Sequence, residues 1–377
     1  MPPRDSQLMT VRVEIPPGLE SLLVAELDQL GIKTTADKGG VEGRLTAAQL
    51  LHLQRWSRLS SRATVRLATV AAPDLAGLAS RVRKLPWRKY TQPRQPLDIV
   101  VTSQDSRLKY KDRVASKVEL AIGDALKGPR KPGGKPPREP LRVGVRVIRD
   151  KATIRVDASG ELLHKRGWRL DPGRAPLREN LAVAVLHAAG WAPGEPLIDP
   201  MTGSGTFAIE AALWTLNKAP AHHRSFACER WPSWPKPKEK GPAQARDAGS
   251  LILAADRDER SVQRARKNAR RASVDRRIQV RHRALTDLEC DATHGLVVMN
   301  PPWGERLGDT AGTAQLHHRW SAYLRAHWAG FRVAVVVPDA GWARAAWGSN
   351  YRVVAEFRSG GTPVCVMCRD PEPTTAP

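Results

Sequence analysis

The chain is short of cysteine, of acidic residues and of long apolar runs. Four cysteines in 377 residues are too few and too scattered for a disulfide framework. Cys365 and Cys368 form a C-x-x-C, but within Val364-Cys365-Val366-Met367-Cys368, which reads as a strand. No second pair stands at metal-ligand spacing, so no metal is expected. No run approaches the roughly 20 apolar residues of a membrane helix, and the N-terminus has no apolar leader core. The expectation is a cytoplasmic protein. Asp+Glu number 38 against 61 Lys+Arg, a formal net charge of +23. An excess of that size favours a polyanionic partner, and nucleic acid is the usual one. What remains, 41% hydrophobic and 26% charged, is ordinary for a folded protein, and the length suits two or three domains.

Val11, Val13 and Ile15 alternate with polar residues as in a short strand. Leu19, Leu22, Leu23, Leu27 and Leu30 then share a helical face that Gly31 closes. Thr46 to Leu59 reads as a second helix, so the start is a small β-α-β-α unit. Between residues 63 and 157, strands are expected at Leu97–Val101, Leu141–Val147 and Thr153–Val156. A helix between the first two carries Val114, Val118, Ala121, Ile122 and Ala125 on one face. Its entry, Ser106-Arg107-Leu108-Lys109-Tyr110-Lys111, is basic with one aromatic and suits either phosphate contact or plain solvation. Lys127 to Pro140 holds five cations and one acid among Pro and Gly, and reads as a basic loop.

From about residue 160 the pattern changes. Helix Leu177–Ala189, strand Leu197–Ile198, a glycine loop and helix Thr206–Leu216 are followed by strand Leu251–Ala255 and helix Glu259–Ala272. Strands at Ile278–Val280, Leu296–Met299 and Val333–Val337 complete a mostly parallel sheet with helices on both faces. A Pro/Trp-rich insert, Trp214 to Gly249, interrupts it. The loop is Asp199-Pro200-Met201-Thr202-Gly203-Ser204-Gly205-Thr206, opening directly into a helix. Its glycines let backbone approach a ligand at the positive helix end. No Gly-Lys-Ser/Thr follows, which excludes a P-loop. Gly203-x-Gly205-x-x-Ala208 satisfies a relaxed dinucleotide fingerprint, but the next strand-end acid, Asp256, lies 51 residues past Gly205 rather than about 20.

Asn300-Pro301-Pro302-Trp303 decides between the cofactors. It ends an apolar strand with an amide, two residues lacking N–H groups, and a ring. The Asn300 amide oxygen and the Pro301 carbonyl can accept the two hydrogens of a planar amine while Trp303 stacks on its face. Methylation of an exocyclic base amine needs that cradle. An acid before glycines suits S-adenosylmethionine, which carries an ammonium and two ribose hydroxyls but no phosphate, and Asp256 would accept from the hydroxyls. The cradle reads an amine and not a particular base, so guanine-N2 and adenine-N6 both stay open.

These motifs, with Leu163-His164-Lys165-Arg166-Gly167-Trp168-Arg169 and Ala175-Pro176-Leu177-Arg178-Glu179-Asn180-Leu181 upstream, resemble the THUMP-domain RNA guanine-N2 methyltransferases, RlmL-like enzymes of bacterial 23S ribosomal RNA in particular. The resemblance implies an α/β protein in three parts. A ferredoxin-like α+β domain would span 1–62, a THUMP RNA-binding domain 63–158, and a Rossmann-fold class I methyltransferase with a mostly parallel seven-stranded sheet 159–377. It implies catalysis at Asn300, Pro301, Pro302 and Trp303. Cofactor contacts are implied at Glu179, Asp199, Met201, Gly203, Gly205, Thr206, Asp256 and Asp287. Two positions depart from the family: Thr202 stands where Cys is usual, and Ala284 where an acid for the adenine amine is expected, with Asp287 three residues on. The implied partner is RNA, ribosomal first and transfer RNA second. A non-catalytic RNA-binding assembly factor and a dehydrogenase are the remaining alternatives.

Overall fold

Valines alternating with polar residues put one face of β1 (Met9–Glu14) into the core, where Leu23 and Leu27 of α1 (Glu20–Gln29) are also buried. The structure, a computed structural model, describes residues 7–127, 138–170, 177–221, 224–237, 249–302, 310–338, 340–359 and 361–372. The start is not a β-α-β-α unit, because a hairpin of β2 (Thr35–Asp37) and β3 (Gly40–Leu45) separates α1 from α2 (Ala47–Trp56). Thr46 caps α2 with a reciprocal Gln49 capping box. The helix stops at Trp56, short of Leu59. Half-buried Glu26 draws the chain out there, accepting from the Ser57 hydroxyl at 2.5 Å and the Arg58 and Leu59 amides at 2.7 and 3.3 Å.

Four further strands follow: β4 (Arg62–Ala71), β5 (Leu97–Gln104), β6 (Leu141–Ile148) and β7 (Lys151–Asp157). Two helices, α3 (Leu75–Arg83) and α4 (Lys111–Leu126), pack beside them. Among the described residues the strands to this point form one seven-stranded sheet of order β2-β3-β1-β4-β7-β6-β5. β4 pairs β1 along its first half and β7 along most of its length. Most of the basic segment at 127–140 lies outside the described residues.

The second half alternates as expected: α5 (Glu179–Ala188), β8 (Leu197–Asp199), α6 (Thr206–Thr215), β9 (Ile252–Asp256), α7 (Glu259–Arg271), β10 (Gln279–His282) and β11 (Gly295–Met299). After them come α8 (Thr310–His327), β12 (Phe331–Val337), α9 (Ala340–Trp347), β13 (Arg352–Ser359) and β14 (Thr362–Arg369). The sheet order is β10-β9-β8-β11-β12-β14-β13, parallel from β10 to β12, with β14 antiparallel to both its neighbours. A mostly parallel sheet of seven strands is what the resemblance implied; the antiparallel β14 is the structure's addition. Successive strands run outward in opposite directions from β8 and β11, so the crevice beyond those two ends is the topological switch point where open α/β sheets bind ligands.

The halves are bonded together. Arg166 makes a buried ion pair with Glu210 of α6 at 3.4 Å and donates to the Arg58 carbonyl at 2.5 Å. Asn180 of α5 donates to the Leu59 carbonyl and the Ser61 hydroxyl. The insert does more than interrupt the sheet: Trp231 meets Tyr90 edge-on at 4.9 Å and Trp234 at 5.9 Å. Cys365 and Cys368 are buried in β14, and among the described residues no group of His, Cys, Asp or Glu could hold a metal. No described helix is long and apolar enough to cross a membrane.

Candidate active site

β8 ends in Asp199, 1% exposed. From there the chain turns through Pro200 to Gly205 into α6. The turn is held by Thr202 N–H to the Ala255 carbonyl at 2.9 Å and Gly205 N–H to the Thr202 carbonyl at 2.8 Å. Gly203 and Gly205 sit at φ +54° and +85°, a region glycine enters freely. A Cβ on Gly205 would press on Ala265 and Ile209 at 3.2 Å, so this glycine also lets α6 approach α7. Asn268 of α7 donates to the Ser204 carbonyl at 2.9 Å. The loop is braced by α7 and by the end of β9, and it stands at the switch-point end of β8.

Asp256 closes β9 next to β8. Its Oδ2 accepts from Gly203 N–H and its Oδ1 from Asp258 N–H, both at 2.9 Å. Each oxygen keeps a further lone pair, which matches two hydroxyl donors. Asp199 is the reverse case. Neither of its oxygens has a partner at hydrogen-bonding geometry, although the Thr202 hydroxyl and Met201 amide stand close. Burial, reinforced by the neighbouring Asp256 charge, pushes its pKa up to about 7. A buried carboxyl without a partner is costly, and this one stands at the end of β8, where the glycine loop begins. An ammonium would satisfy it.

Asn300 follows β11, which pairs β8 on one side and β12 on the other. It therefore leaves the sheet at the same end as Asp199, across the switch point. Asn300 is half-buried and Pro301 buried. The Pro302 carbonyl lies 2.9 Å from Nε2 of His317 on α8. Trp303 lies outside the described residues.

Glu179 sits at the start of α5, buried, with its carboxylate 3.2 Å from Nε of Arg169. Burial raises its pKa and Arg169 opposes the rise. Arg169 in turn donates to the Thr206 hydroxyl at 2.8 Å and the Leu177 carbonyl at 3.0 Å. Glu179 thus reaches the glycine loop through Arg169. Met201 is half-buried in the loop. Asp287 lies on an exposed turn past β10 and lines a cleft of about 440 Å³ with Arg266, Arg283 and Leu288. The structure gathers Asp199, Met201, Gly203, Gly205, Thr206, Asp256 and Asn300 around the ends of three adjacent strands, with Asp287 at the open edge beyond β9. Sequence reasoning missed Arg169 as a loop contact and His317 altogether. A histidine in a helix, with His318 beside it, carries no local signal of that role.

A second cleft, of about 840 Å³, opens on the first sheet and runs to the β13–β14 hairpin. Arg62, Arg142, Arg146, Arg155, Arg178 and Arg358 line it. Arg62 and Arg142 are paired with Asp157 and Asp98, whereas Arg146 acts on Asp37 only at longer range and Arg358 donates to the Gly361 carbonyl at 2.6 Å. His164 also lines this cleft, and burial among Arg178, Arg166 and other cations pushes its pKa down to about 3.

Comparison with known proteins meets this geometry. Residues 166–362 match the family described as RMKL-like, methyltransferase domain, and residues 11–63 the RlmL ferredoxin-like domain. The chain belongs to the RMKL-like methyltransferase family. Ribosomal RNA large subunit methyltransferase K/L of Methylococcus capsulatus is 36% identical over 338 residues, 85% of this chain and 46% of that protein. The chain spans about half the length of this relative and of its Syntrophotalea carbinolica counterpart, of which it covers 48%. The putative RNA methyltransferase YpsC of Bacillus subtilis is 31% identical, with 84% of this chain and 87% of the relative covered. SMU.472, a putative methyltransferase solved in complex with SAH, superposes with a TM-score of 0.86 at 24% identity, covering 98% of this chain and all of that one. The expected fold, a Rossmann-type methyltransferase sheet behind a ferredoxin-like start, is the fold observed.

Proposed function

We propose that this methyltransferase moves a methyl group from S-adenosylmethionine to the exocyclic N2 amine of a guanine in RNA, 23S ribosomal RNA first. One observation carries the reading: the unpartnered Asp199 carboxyl and the Asn300-Pro301-Pro302 turn leave adjacent strands on the two sides of the switch point. RNA is supported by the net charge of +23 and by the relatives' names. Guanine-N2 rests on the family resemblance, and a transfer RNA acceptor is the second choice.

Asp199 would take the ammonium of the cofactor, Asp256 its ribose hydroxyls, the Gly203–Gly205 backbone its closest approach, and Asp287 the adenine edge. Glu179 would act from behind, by fixing Arg169 on Thr206. Bound there, S-adenosylmethionine supplies a sulfonium methyl, an electrophile that needs no activation by the protein. The chain's task is alignment and electrostatics. The lone pair of an exocyclic amine is delocalised into its ring and attacks poorly. Asn300 Oδ1 and the Pro301 carbonyl, accepting its two hydrogens, would turn that lone pair toward the methyl. Trp303 would stack on the base, which has to be unpaired to enter. The nitrogen would bond to the methyl as the sulfur–methyl bond breaks, its electron pair remaining on a neutral thioether that leaves, and would shed one proton to solvent after transfer, so no general base is assigned. The proposed division of labour keeps the boundaries read from sequence: 1–62 ferredoxin-like, 63–158 THUMP, 159–377 catalytic.

Tritium transfer from labelled S-adenosylmethionine to total RNA of cells lacking the protein, with the methylated nucleoside then identified, tests the proposal. N6-methyladenosine in place of N2-methylguanosine would change the base, and no incorporation would end the reading. Asp256→Ala should weaken S-adenosylmethionine binding by about 10- to 100-fold, the worth of roughly 1.5–3 kcal/mol for a bond to a charged acceptor. Unchanged affinity by titration calorimetry would remove Asp256 from the cofactor site. The arginine cleft supports a phosphate-binding role. Arg146→Ala with Arg358→Ala should make log K for RNA less steep in log salt by about 1.5–2, near one for each phosphate that is no longer neutralised. Cofactor affinity should stay as it is. An unaltered slope would place the RNA elsewhere.

A further inference from the structure

Two consecutive prolines create a mechanical problem for the proposed cradle. Neither Pro301 nor Pro302 has an N–H, so the turn cannot brace itself with its own backbone donors. Yet its carbonyls have to stand still if they are to hold an amine in line with a methyl group. The brace comes from α8. Nε2 of His317 lies 2.9 Å from the Pro302 carbonyl, and the ring is fully buried.

The proton position on that ring follows from its other partner. Nδ1 of His317 lies 3.0 Å from the indole nitrogen of Trp347, the last residue of α9. An indole N–H only donates, so Nδ1 has to accept and carries no proton. The ring is then the neutral Nε2–H tautomer, with its one N–H directed at Pro302. A second proton on Nδ1 would oppose the indole hydrogen. Burial lowers the pKa of the ring in the same direction. Trp347 is itself held: Ser321, one turn past His317 on the same face of α8, donates to the Trp347 carbonyl at 2.7 Å. Trp320 and Trp342 pack on the imidazole at 5.0 and 4.9 Å between centroids. Little of this would be needed to bury a histidine in a core.

We infer that His317 is a positioning residue for methyl transfer, its tautomer set by Trp347 so that Nε2–H anchors the Pro302 carbonyl and thereby aims Asn300 and Pro301 at the target amine. The inference rests on the proposed function. It adds a residue that touches neither the cofactor nor the base and acts only through the turn.

Kinetics and one spectrum test it. His317→Ala should lower kcat about 10- to 100-fold, the scale of a small misplacement in an aligned reaction. S-adenosylmethionine Kd and RNA KM should stay within about threefold, because the glycine loop is on other elements. His317→Gln places an amide N–H near the position of Nε2–H and should recover at least about fivefold of the loss. A purely structural role predicts no such rescue. Trp347→Phe, which removes the donor that dictates the tautomer, should lower kcat without His317 being touched. Nitrogen NMR of 15N-histidine-labelled protein at pH 7 should show His317 neutral with its proton on Nε2. A folded His317→Ala variant with kcat within twofold of wild type would overturn the inference. So would a proton on Nδ1, a reading that stands even where the alanine variant fails to fold. If the wild-type protein itself transfers no methyl to RNA, the proposed function fails first, and the control reveals it.

Discussion

Asn300→Ala should lower the methyl-transfer rate about 10³-fold while S-adenosylmethionine affinity stays within about twofold of wild type. The magnitude is that of removing one aimed polar group from a preorganised site. The separation of rate from binding follows from the fold. Asn300 leaves β11, whereas the loop that would receive the cofactor leaves β8 and is braced by Asp256 and Asn268. Removing the amide therefore takes away an acceptor without disturbing that brace. Asn300→Asp, which keeps an acceptor oxygen at the same reach, should retain at least about tenfold more activity than the alanine variant. Single-turnover kinetics with saturating cofactor would measure both. Normal turnover in the alanine variant would sink the cradle, because Asn300 supplies one of its two proposed acceptors.

The parallel half of the fold was legible because its signals are local. Leu197–Ile198 and Leu296–Met299 are short apolar runs, each followed by one polar residue and then proline. Glu259–Arg271 shows a cationic face opposite Val262, Ala265 and Ala269. What escaped depended on distant partners. β4 reads poorly because a register shift between Arg66 and Ala68 breaks its alternation, and it serves two neighbours at once. β2 is exposed throughout, so no apolar period marks it. α2 ends earlier than its sequence suggests because its stop depends on Glu26, 31 residues before Ser57 and outside any local window. At the site, Asp199, Asp256 and Asn300 stood out as residue types at strand ends. The engagement of Glu179 with Arg169, and of His317 with Trp347 30 residues on, could be seen only after folding.

Asp199→Asn should stabilise the ligand-free protein and weaken its hold on S-adenosylmethionine, two effects of opposite sign from one atom pair. The carboxyl has a pKa of about 7 in the folded chain against 3.8 for an ordinary aspartate, and burial is the main cause. The folded state therefore binds this proton more tightly than the unfolded one. Its contribution to unfolding free energy falls as pH rises from about 4 to about 7, then levels off. A shift of about three units corresponds to about 4 kcal/mol of penalty at pH 8. Asparagine carries none of it, so the variant should be the more stable by a few kcal/mol at pH 8, with the gap closing toward pH 4. Comparing variant with wild type cancels the other groups that titrate in the same window. The ligand reverses the balance, since an ammonium supplies the countercharge that the carboxylate otherwise lacks. Below pH 7 the wild-type carboxyl has to release its proton first, so Kd should worsen about tenfold for each pH unit lost. The substituted amide has no charge to offer, so the variant's Kd should be weaker at pH 8 and flat with pH. Urea melts and calorimetric titrations at pH 5, 6, 7 and 8 would read both curves. A wild-type stability that does not fall relative to the variant would show that Asp199 is solvated, and equal cofactor affinities would assign the ammonium to another group. Both outcomes together would leave the glycine loop without the charge that separates a sulfonium donor from a dinucleotide.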